Sequence, residues 1–295
     1  MPTQTGPSLT LTPRVNGCLA LTFEHSPTRQ QTLMRVTHQT PPLRVVRGFQ
    51  NQAGAALAHL HNISGGVLGG DALSVTARIG PGSQAQLTTP GATRIYRHRA
   101  GGPEAIQENH FVVEAGGLLE YLPDPLIPFA LARYRQITKI RLGAGSGLFW
   151  WEIVAPGRET RGEVFAYDLV EMQTDIWVGR QPIALERLRL EPQLKPLSSP
   201  LRLGPYRYFC TFYICHTAQA DQGWLDLEQE LWQLLEPHSL GQASAWAVNR
   251  LPRHGLVIKG LSDSSQALQA TLLTLWQTAK QRLYQAPAIF PRKMY

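Results

Sequence analysis

The sequence predicts a mostly β fold, in which many short strands form an elongated β-sheet or β-helix-like body followed by two C-terminal α-helices. The 26 glycines and 22 prolines are spread over 295 residues and separate short segments of alternating apolar and polar residues. Such spacing of turn-forming residues between short alternating segments is typical of all-β chains. We therefore expect one domain over 1–295, with a β-rich body over about 14–220 and a helical part over about 221–286.

Nine segments carry the alternation, or the β-branched and aromatic residues, that strands favour. In the first of them Leu19, Leu21 and Phe23 are separated by smaller or polar residues, so one face is expected to be buried. We predict more than ten strands in the whole chain, which shows no sequence repeat. The nine segments are 19–23, 73–79, 85–89, 111–113, 118–122, 148–154, 164–170, 184–190 and 206–215.

A further period-2 segment carries basic residues on one face and apolar residues on the other. The apolar face consists of Tyr134, Ile140 and Leu142. The basic face is expected to be solvated, or to meet an acidic partner protein. It consists of Arg133, Arg135, Lys139 and Arg141.

Helical spacing of apolar residues occurs twice, near the C-terminus. The first helix has apolar residues at three- and four-residue steps from Trp224 to Leu235, and Pro237 is predicted to end it. The second is predicted to start at Asp263, which forms a capping-box pattern with Gln266, and to continue as far as Pro287.

Charge and cysteine content exclude several classes of protein. Lys and Arg number 28 against 21 Asp and Glu, and the arginines are scattered rather than clustered beside aromatic residues, so nucleic-acid binding is not expected. No apolar run is long enough to span a membrane. Cys210 and Cys215 are an odd number of residues apart in one strand segment, so they should face opposite ways and not share a metal. These features fit a reducing, cytoplasmic setting.

Asp71 ends a run with two glycine pairs, Gly65-Gly66 and Gly69-Gly70, which allows unusual backbone angles and close packing of the chain. A phosphate-binding loop would need a Lys followed by Ser or Thr and a helix, and the run has neither. Two interpretations stay open. Asp71 either accepts backbone N–H bonds in a tight connection or has a functional role.

Other polar residues are candidates for chemistry, each with a simpler alternative. Residues 87–97 combine threonines, a tyrosine and two arginines, although threonine-rich strands are usually structural. His59 and His61 would share a strand face and could hold nickel or zinc, but a solvated edge pair is favoured. We find no nucleophile with its base, so the sequence does not favour an enzyme.

Six motifs in order resemble the UreD family of urease accessory proteins, also called UreH. The resemblance extends from about residue 14 to the C-terminus. It rests on the glycine run, on the threonine-rich segment and on four shorter motifs. The motifs are 65–73, 87–97, Leu119-Glu-Tyr-Leu-Pro-Asp-Pro125, Trp151-Glu152, Gly162-Glu163 and Phe290-Pro-Arg292.

The resemblance implies a cytoplasmic, non-catalytic chaperone of mostly β structure with two helices. Such a protein binds apo-urease and assembles with UreF and the GTPase UreG, and the assembly delivers nickel to the urease active site. The helical part is expected to contact UreF, and any nucleotide belongs to UreG. No cofactor is expected to stay bound, nickel being only in transit, and a dimer of the accessory complex is compatible with the family.

A transit path must hold nickel weakly at several points, and carboxylates and hydroxyls are weaker ligands for it than imidazole or thiolate. By resemblance, Asp71, Thr88, Thr89 and Glu163 are the first candidates for lining a nickel passage, and Gly65, Gly66, Gly69 and Gly70 form a structural motif. Glu120 and Glu152 complete the set of oxygen donors.

Two other classes of function are considered. A small-molecule or carbohydrate-binding β protein would present Trp150, Trp151 and Trp177 as an exposed stacking platform. An enzyme would need two of the carboxylates Glu120, Glu152 and Glu163 to converge in an open cleft.

Overall fold

The computed structural model describes residues 15–51, 53–99, 101–239 and 243–291, and the side chains of 238 and 239 are not described. Strands make up 48% and helices 15% of the structure, which confirms the mostly β prediction. Residue 14, where the predicted β-rich body begins, and Arg292 of the closing motif lie outside the described residues.

The described part of the chain contains 19 strands, one short 3-10 helix and two α-helices. The first strands are β1 (Asn16–Ser26), β2 (Gln31–Thr40), β3 (Leu43–Arg44), β4 (Gly48–Gln50), β5 (Ala56–His59), β6 (His61–Asn62), β7 (Ala72–Ile79), β8 (Gln84–Thr88), β9 (Thr93–Ile95) and β10 (Ala105–Val113). The next are β11 (Leu118–Tyr121), β12 (Leu126–Pro128), β13 (Arg133–Leu142), β14 (Gly147–Val154), the 3-10 helix (Glu159–Arg161), β15 (Leu169–Val178) and β16 (Gln181–Leu190). The last are β17 (Tyr208–His216), α1 (Asp221–Ser239), β18 (Ser244–Arg250), β19 (Gly255–Ser262) and α2 (Ser265–Tyr284).

The strands form two large sheets. The outer sheet has the order β16-β15-β13-β10-β7-β1-β2, and the central sheet has the main path β18-β19-β17-β14-β11-β8-β5-β4, with β9 and β12 attached beside β14. Inner neighbours are parallel in both sheets, from β1 to β15 in one and from β5 to β14 in the other. From β7 to β15 the long strands alternate between the sheets, which is the winding of a β-helix.

Short turns join the outer sheet to the central sheet and stack on one another. The turns 80–83, 114–117 and 143–146 each contain a glycine in the left-handed region, with φ of +63° at Gly82, +67° at Gly116 and +64° at Gly145. The Gly82 N–H donates to Ala115 O at 3.0 Å, and the Gly116 N–H donates to Ala144 O at 2.9 Å. A structural repeat therefore exists although no repeat is visible in the sequence.

Two apolar cores lie on the two faces of the central sheet. One fills the space between the sheets, and the other fills the space between the central sheet and helices α1 and α2. Along β14, Trp150 belongs to the first core and Trp151 to the second. The same alternation places Cys215 in the first core and Cys210 in the second, which confirms that the two cysteines face opposite ways.

Other predictions about the strands and helices hold in part. The basic and apolar faces of 133–142 are confirmed, since Tyr134, Ile140 and Leu142 are buried. The strand predicted over 164–170 begins only at Leu169, because Phe165 has a positive φ of 53° and interrupts the extended backbone.

The predicted helix ends need correction. Pro237 lies inside α1, near its end. Proline has no backbone N–H, and at this position its presence removes little more than one hydrogen bond of the helix. The cap of α2 is Ser264, whose Oγ accepts from the Ala267 N–H at 3.3 Å, and not Asp263. Strands β18 and β19 lie between the helices in sequence and were not predicted.

Candidate functional site

A cavity of about 310 Å³ lies between the two sheets, at the end opposite the stacked turns. The first residues of β7, β10 and β13 and the last residues of β11 and β14 form its walls, and the loops after β6 and β8 cover it. The walls combine aliphatic side chains with oxygen-bearing ones. The polar lining includes Asn62, Thr89, Thr93, Gln107, Tyr121, Asp124, Tyr134, Gln136 and Glu152.

Polar side chains in the deepest part of the cavity are joined by hydrogen bonds. The Tyr134 hydroxyl lies 3.2 Å from Gln107 Oε1 and 3.1 Å from Gln136 Oε1 and can donate to either. Gln136 Nε2 donates to Glu152 Oε1, and the Thr174 hydroxyl donates to Glu152 Oε2 at 3.2 Å. The network converges on the carboxyl group of Glu152.

Burial and, to a lesser extent, the nearby carboxylate of Glu186 raise the pKa of Glu152 to about 7, a value that already includes the opposing effect of the hydrogen bonds from Gln136 and Thr174. Near neutral pH this carboxyl group therefore exchanges its proton readily. A cation that approaches it can displace the proton and gain an oxygen ligand, and a returning proton weakens the contact again.

A second, small pocket of about 10 Å³ lies on the other side of Glu152. Its polar lining is Glu152, Thr174, Glu186 and Thr211. Glu186 accepts hydrogen bonds from the Tyr213 hydroxyl, from Lys259 Nζ and, at 3.3 Å, from the Thr211 hydroxyl. The Lys259 side chain is half-exposed, so the Glu186 carboxylate lies close to solvent, and Glu152 lines both the cavity and the small pocket.

Two of the six candidate residues, Thr89 and Glu152, line the cavity. The Thr89 hydroxyl accepts a hydrogen bond from the Asp124 N–H at 2.9 Å. Thr88 points to the opposite face of the central sheet, where its hydroxyl is fully buried and donates to Leu122 O at 2.7 Å.

Asp71 is 3% exposed and is not among the residues that line the cavity. Its Oδ2 accepts a hydrogen bond from the Leu68 N–H at 2.9 Å, and its own N–H donates to Leu68 O at 3.0 Å. Burial raises the pKa of Asp71, while the Leu68 bond opposes the shift. These contacts correspond to the interpretation in which the carboxylate holds a tight connection.

The glycines around Asp71 are required by close packing against the segment 94–98. A Cβ at Gly66 would lie 2.6 Å from Arg94 O, and a Cβ at Gly69 would lie 2.7 Å from His98 Cα. Gly65 and Gly70 have φ of +81° and +93°. The run therefore fits the loop that covers the cavity tightly onto β9.

Gly66→Ala is expected to lower the free energy of unfolding by about 1–3 kcal/mol, because the new methyl group overlaps a backbone carbonyl that cannot move independently. Urea denaturation measures the change. Gly91→Ala is the matched control, since that glycine also lines the cavity but has no atom within 4 Å of the added Cβ. Equal stability of the two variants would contradict the packing argument.

Glu120 lies on the face of the central sheet that α2 covers and is 1% exposed. Its carboxylate accepts a hydrogen bond from Trp276 Nε1 at 2.9 Å and forms an ion pair with Lys280 Nζ at 2.9 Å. Gln86 Nε2 lies 3.4 Å from the same carboxylate. This side chain is therefore separated from the cavity by the backbone of the central sheet.

Glu163 is bound in the loop before β15. Arg158 Nε donates to its carboxylate at 2.8 Å, and the Ala130 N–H donates to it at 3.1 Å. The Arg158 guanidinium holds the pKa of Glu163 below its usual range. Glu163 does not line the cavity, so the structure brings together only Thr89 and Glu152 among the six candidates.

The two histidines differ from the expected solvated pair. His59 is buried against Phe49, with ring centroids 5.7 Å apart, and His61 lines the cavity. Their rings are 6.4 Å apart, and burial lowers the pKa of His61, with His59 contributing. Nowhere in the described ranges do three His, Cys, Asp or Glu side chains form a metal-binding group.

Neither described helix is long and apolar enough to cross a membrane.

Sequence reasoning missed Gln136, Thr174 and the partners of Glu186. Gln136 and Thr174 occupy inward-facing positions of β13 and β15 and are buried. A polar side chain on the apolar face of an alternating strand was the available signal, because burial of such a group is costly unless it is hydrogen-bonded.

The geometry does not support the two other classes of function. Trp150 and Trp151 are 0% and 5% exposed and Trp177 is half-buried, so the three side chains form no exposed stacking platform. The three carboxylates of the enzyme interpretation do not converge, because Glu120 faces α2, Glu152 faces the cavity and Glu163 pairs with Arg158.

Comparison with known proteins points to one family. The sequence profile of the family described as UreD urease accessory protein matches residues 15–295. The urease accessory protein UreD of Herpetosiphon aurantiacus is 44% identical over 282 residues, which cover 96% of this chain and 97% of that protein. The UreD proteins of Halalkalibacterium halodurans and Alcanivorax borkumensis are 28% and 30% identical over 90% and 89% of this chain, and the matches cover 93% and 85% of those proteins. The chain belongs to the UreD family of urease accessory proteins.

Proposed function

We propose that this protein is a cytoplasmic, non-catalytic chaperone of urease maturation that works as one domain. It binds apo-urease and assembles with UreF and the GTPase UreG, and the assembly inserts nickel into the urease active site. Helices α1 and α2 supply the contact with UreF. Nickel is the cargo of the complex and no cofactor stays bound.

The observation that supports this proposal best is the polar cavity between the sheets in a member of the UreD family. We place the nickel passage there, with Thr89 near its covered end and Glu152 at its centre. The other four candidates, Asp71, Thr88, Glu120 and Glu163, lie outside the cavity and have the structural contacts described above.

The chemistry of the cavity suits transit rather than storage. Hydroxyl, amide and carboxyl oxygens bind a borderline cation less tightly than imidazole or thiolate does. Glu152 is ionised in only part of the molecules near neutral pH, because its pKa is about 7. A site that gains and loses its charge easily can pass an ion onward without trapping it.

Co-purification with UreF, UreG and apo-urease, followed by a nickel- and GTP-dependent activation assay, tests the proposed function. We expect a stable complex and urease activity that depends on this chain. If no complex with these proteins forms, the proposal is wrong.

The position of the passage is tested by pairing cavity variants with a variant outside the cavity. Thr89→Val and Glu152→Gln should lower the nickel content of urease severalfold while the complex still forms. Glu163→Gln is the matched control, because it makes the same change at a carboxylate bound by Arg158. Full nickel loading by both cavity variants would exclude a passage at this place.

A further inference from the structure

Four loops meet around the covered end of the cavity and form one continuous surface. The loop after β3 is joined to the loop after β6 by the β3–β6 ladder. The loop after β6 is joined to β9 by a hydrogen bond from the Val67 N–H to Arg94 O at 2.8 Å. The His98 N–H, just after β9, donates to Leu131 O at 3.2 Å, which adds the loop after β12.

Large aliphatic side chains of these loops point into solvent. Val46 is 70% exposed, Ile63 is 55%, Leu131 is 53% and Leu68 is 43%. Single exposed aliphatic residues are ordinary, but four on neighbouring loops at one end of the cavity are typical of an interaction site. Leu131 has a φ of +62°, a conformation that is costly for a side chain of this shape and persists only when the surroundings enforce it.

Arginines occupy the same surface. Arg44, Arg47, Arg94 and Arg97 are exposed, and Arg94 also lines the cavity. No carboxylate of the described residues pairs with any of the four. We call these four arginines, together with Val46, Ile63, Leu68 and Leu131, the arginine rim.

Carboxylates near this end of the molecule are already engaged. Glu104 pairs with Arg135, and Glu163 pairs with Arg158. The Asp71 carboxylate is buried and accepts a hydrogen bond from the Leu68 N–H. The rim therefore carries four arginines that form no ion pair with a carboxylate of the described residues. Unpaired guanidinium groups favour a ligand that carries carboxylates.

We propose that the arginine rim is a docking surface for an acidic protein surface that also carries exposed aliphatic side chains. This inference rests on the proposed function, because the partner would be a member of the urease maturation complex. Arginine pairs with carboxylates through two parallel hydrogen bonds and is enriched at protein interfaces, whereas lysine is depleted there. All four cations of the rim are arginines.

The side chains of the rim favour a protein over other anionic partners. Single-stranded nucleic acids bind surfaces on which exposed aromatic rings stack with bases. The large exposed apolar residues here are all aliphatic. Membrane surfaces attract lysine and arginine alike, with tryptophan and tyrosine at the interface, and the rim has neither lysine nor exposed tryptophan.

The test uses the double variant Arg44→Glu/Arg97→Glu, since neither side chain lines the cavity and both are exposed. The matched control is Lys139→Glu/Arg141→Glu, which reverses two exposed cations on the outer sheet. Association rates of wild type and both variants are measured by surface plasmon resonance with UreF, the UreF–UreG complex and apo-urease. A total RNA preparation and vesicles of phosphatidylglycerol and phosphatidylcholine serve as further probes.

We expect the rim variant to associate with one of these proteins at least about 10-fold more slowly than wild type in low salt, and the control variant within about twofold. The difference should shrink at high ionic strength, because salt screens exposed charges. The affected partner should carry an acidic surface.

The inference is overturned if the rim variant binds every protein at the wild-type rate, if only the control variant is slowed, or if the reversal affects RNA or vesicles alone. Those results would leave the proposed function standing. If wild type binds none of the urease proteins, the proposed function itself fails, and the rim inference falls with it.

Discussion

Lys280→Met is expected to lower the free energy of unfolding by about 3–5 kcal/mol, a large fraction of the stability of an ordinary domain. The Lys280 and Glu120 side chains are 5% and 2% exposed and form an ion pair between α2 and the central sheet. Removal of the cation leaves a buried carboxylate without a counter-charge. Guanidinium denaturation at pH 7.5 measures the loss.

The double variant Glu120→Gln/Lys280→Met separates the cost of the isolated charge from the loss of contacts. The amide oxygen introduced by Glu120→Gln can still accept the hydrogen bond from Trp276 Nε1, and the amide carries no charge. We expect the double variant to recover most of the lost stability, because a buried ion pair that is replaced as a whole costs little. A single variant that is as stable as wild type would show that the pair does not hold α2 to the sheet.

Glu152→Gln is expected to stabilise the protein by about 3 kcal/mol at pH 8 while it impairs nickel loading. The pKa of Glu152 is raised from 4.5 to about 7 by burial and by Glu186, so ionisation in the folded state is unfavourable. Each pKa unit corresponds to about 1.4 kcal/mol. A glutamine accepts from Gln136 Nε2 through its Oε1 and presents an NH₂ group to the Thr174 hydroxyl, which preserves the packing.

The sign of the pH dependence follows from the direction of this shift. Well below pH 4.5 Glu152 is protonated in both states and has no charge-related cost. As the pH rises the unfolded state ionises first, so stability falls until the folded state ionises near pH 7 and is then constant. The advantage of Glu152→Gln should therefore be small at pH 4.5, grow toward pH 7 and stay constant above it.

Glu163→Gln supplies a control with the opposite sign. Arg158 lowers the pKa of Glu163, so the ionised carboxylate stabilises the folded state above the pKa of the unfolded chain. The variant should be slightly less stable than wild type at pH 8, and the difference should disappear in acid. Denaturation curves between pH 4 and pH 8 measure both variants. Loss of stability by Glu152→Gln at pH 8 would contradict the burial argument.

The strands with one apolar face could be predicted from the sequence, whereas the pairing of these strands in the sheets could not. Alternation in 133–142 identifies the buried face correctly, but a period of two says nothing about which strands pair or whether they run parallel. The repeat of the winding is hidden because the stacked turns share little more than one left-handed glycine each, at Gly82, Gly116 and Gly145.

Family membership and the oxygen-donor residue types were also accessible from sequence, but not the grouping of those residues. Glu120 and Glu152 both stand in strands beside aromatic residues. Only the register shows that Glu120 shares its face with Leu118 of the helix-side core, whereas Glu152 shares its face with Trp150 of the core between the sheets. The arginine rim could not be predicted from the sequence, because it is formed by loops that are distant from one another along the chain.

Strand β14 separates two environments by a single step of the backbone, since Trp151 packs against α2 and Glu152 faces the cavity. Because successive side chains of a strand point to opposite faces, insertion or deletion of one residue would exchange the two sets. Glutamate would then enter the helix-side core, and tryptophan would fill the cavity. The length of β14 can therefore change only in steps of two, so the surface that α2 offers and the path between the sheets must evolve together.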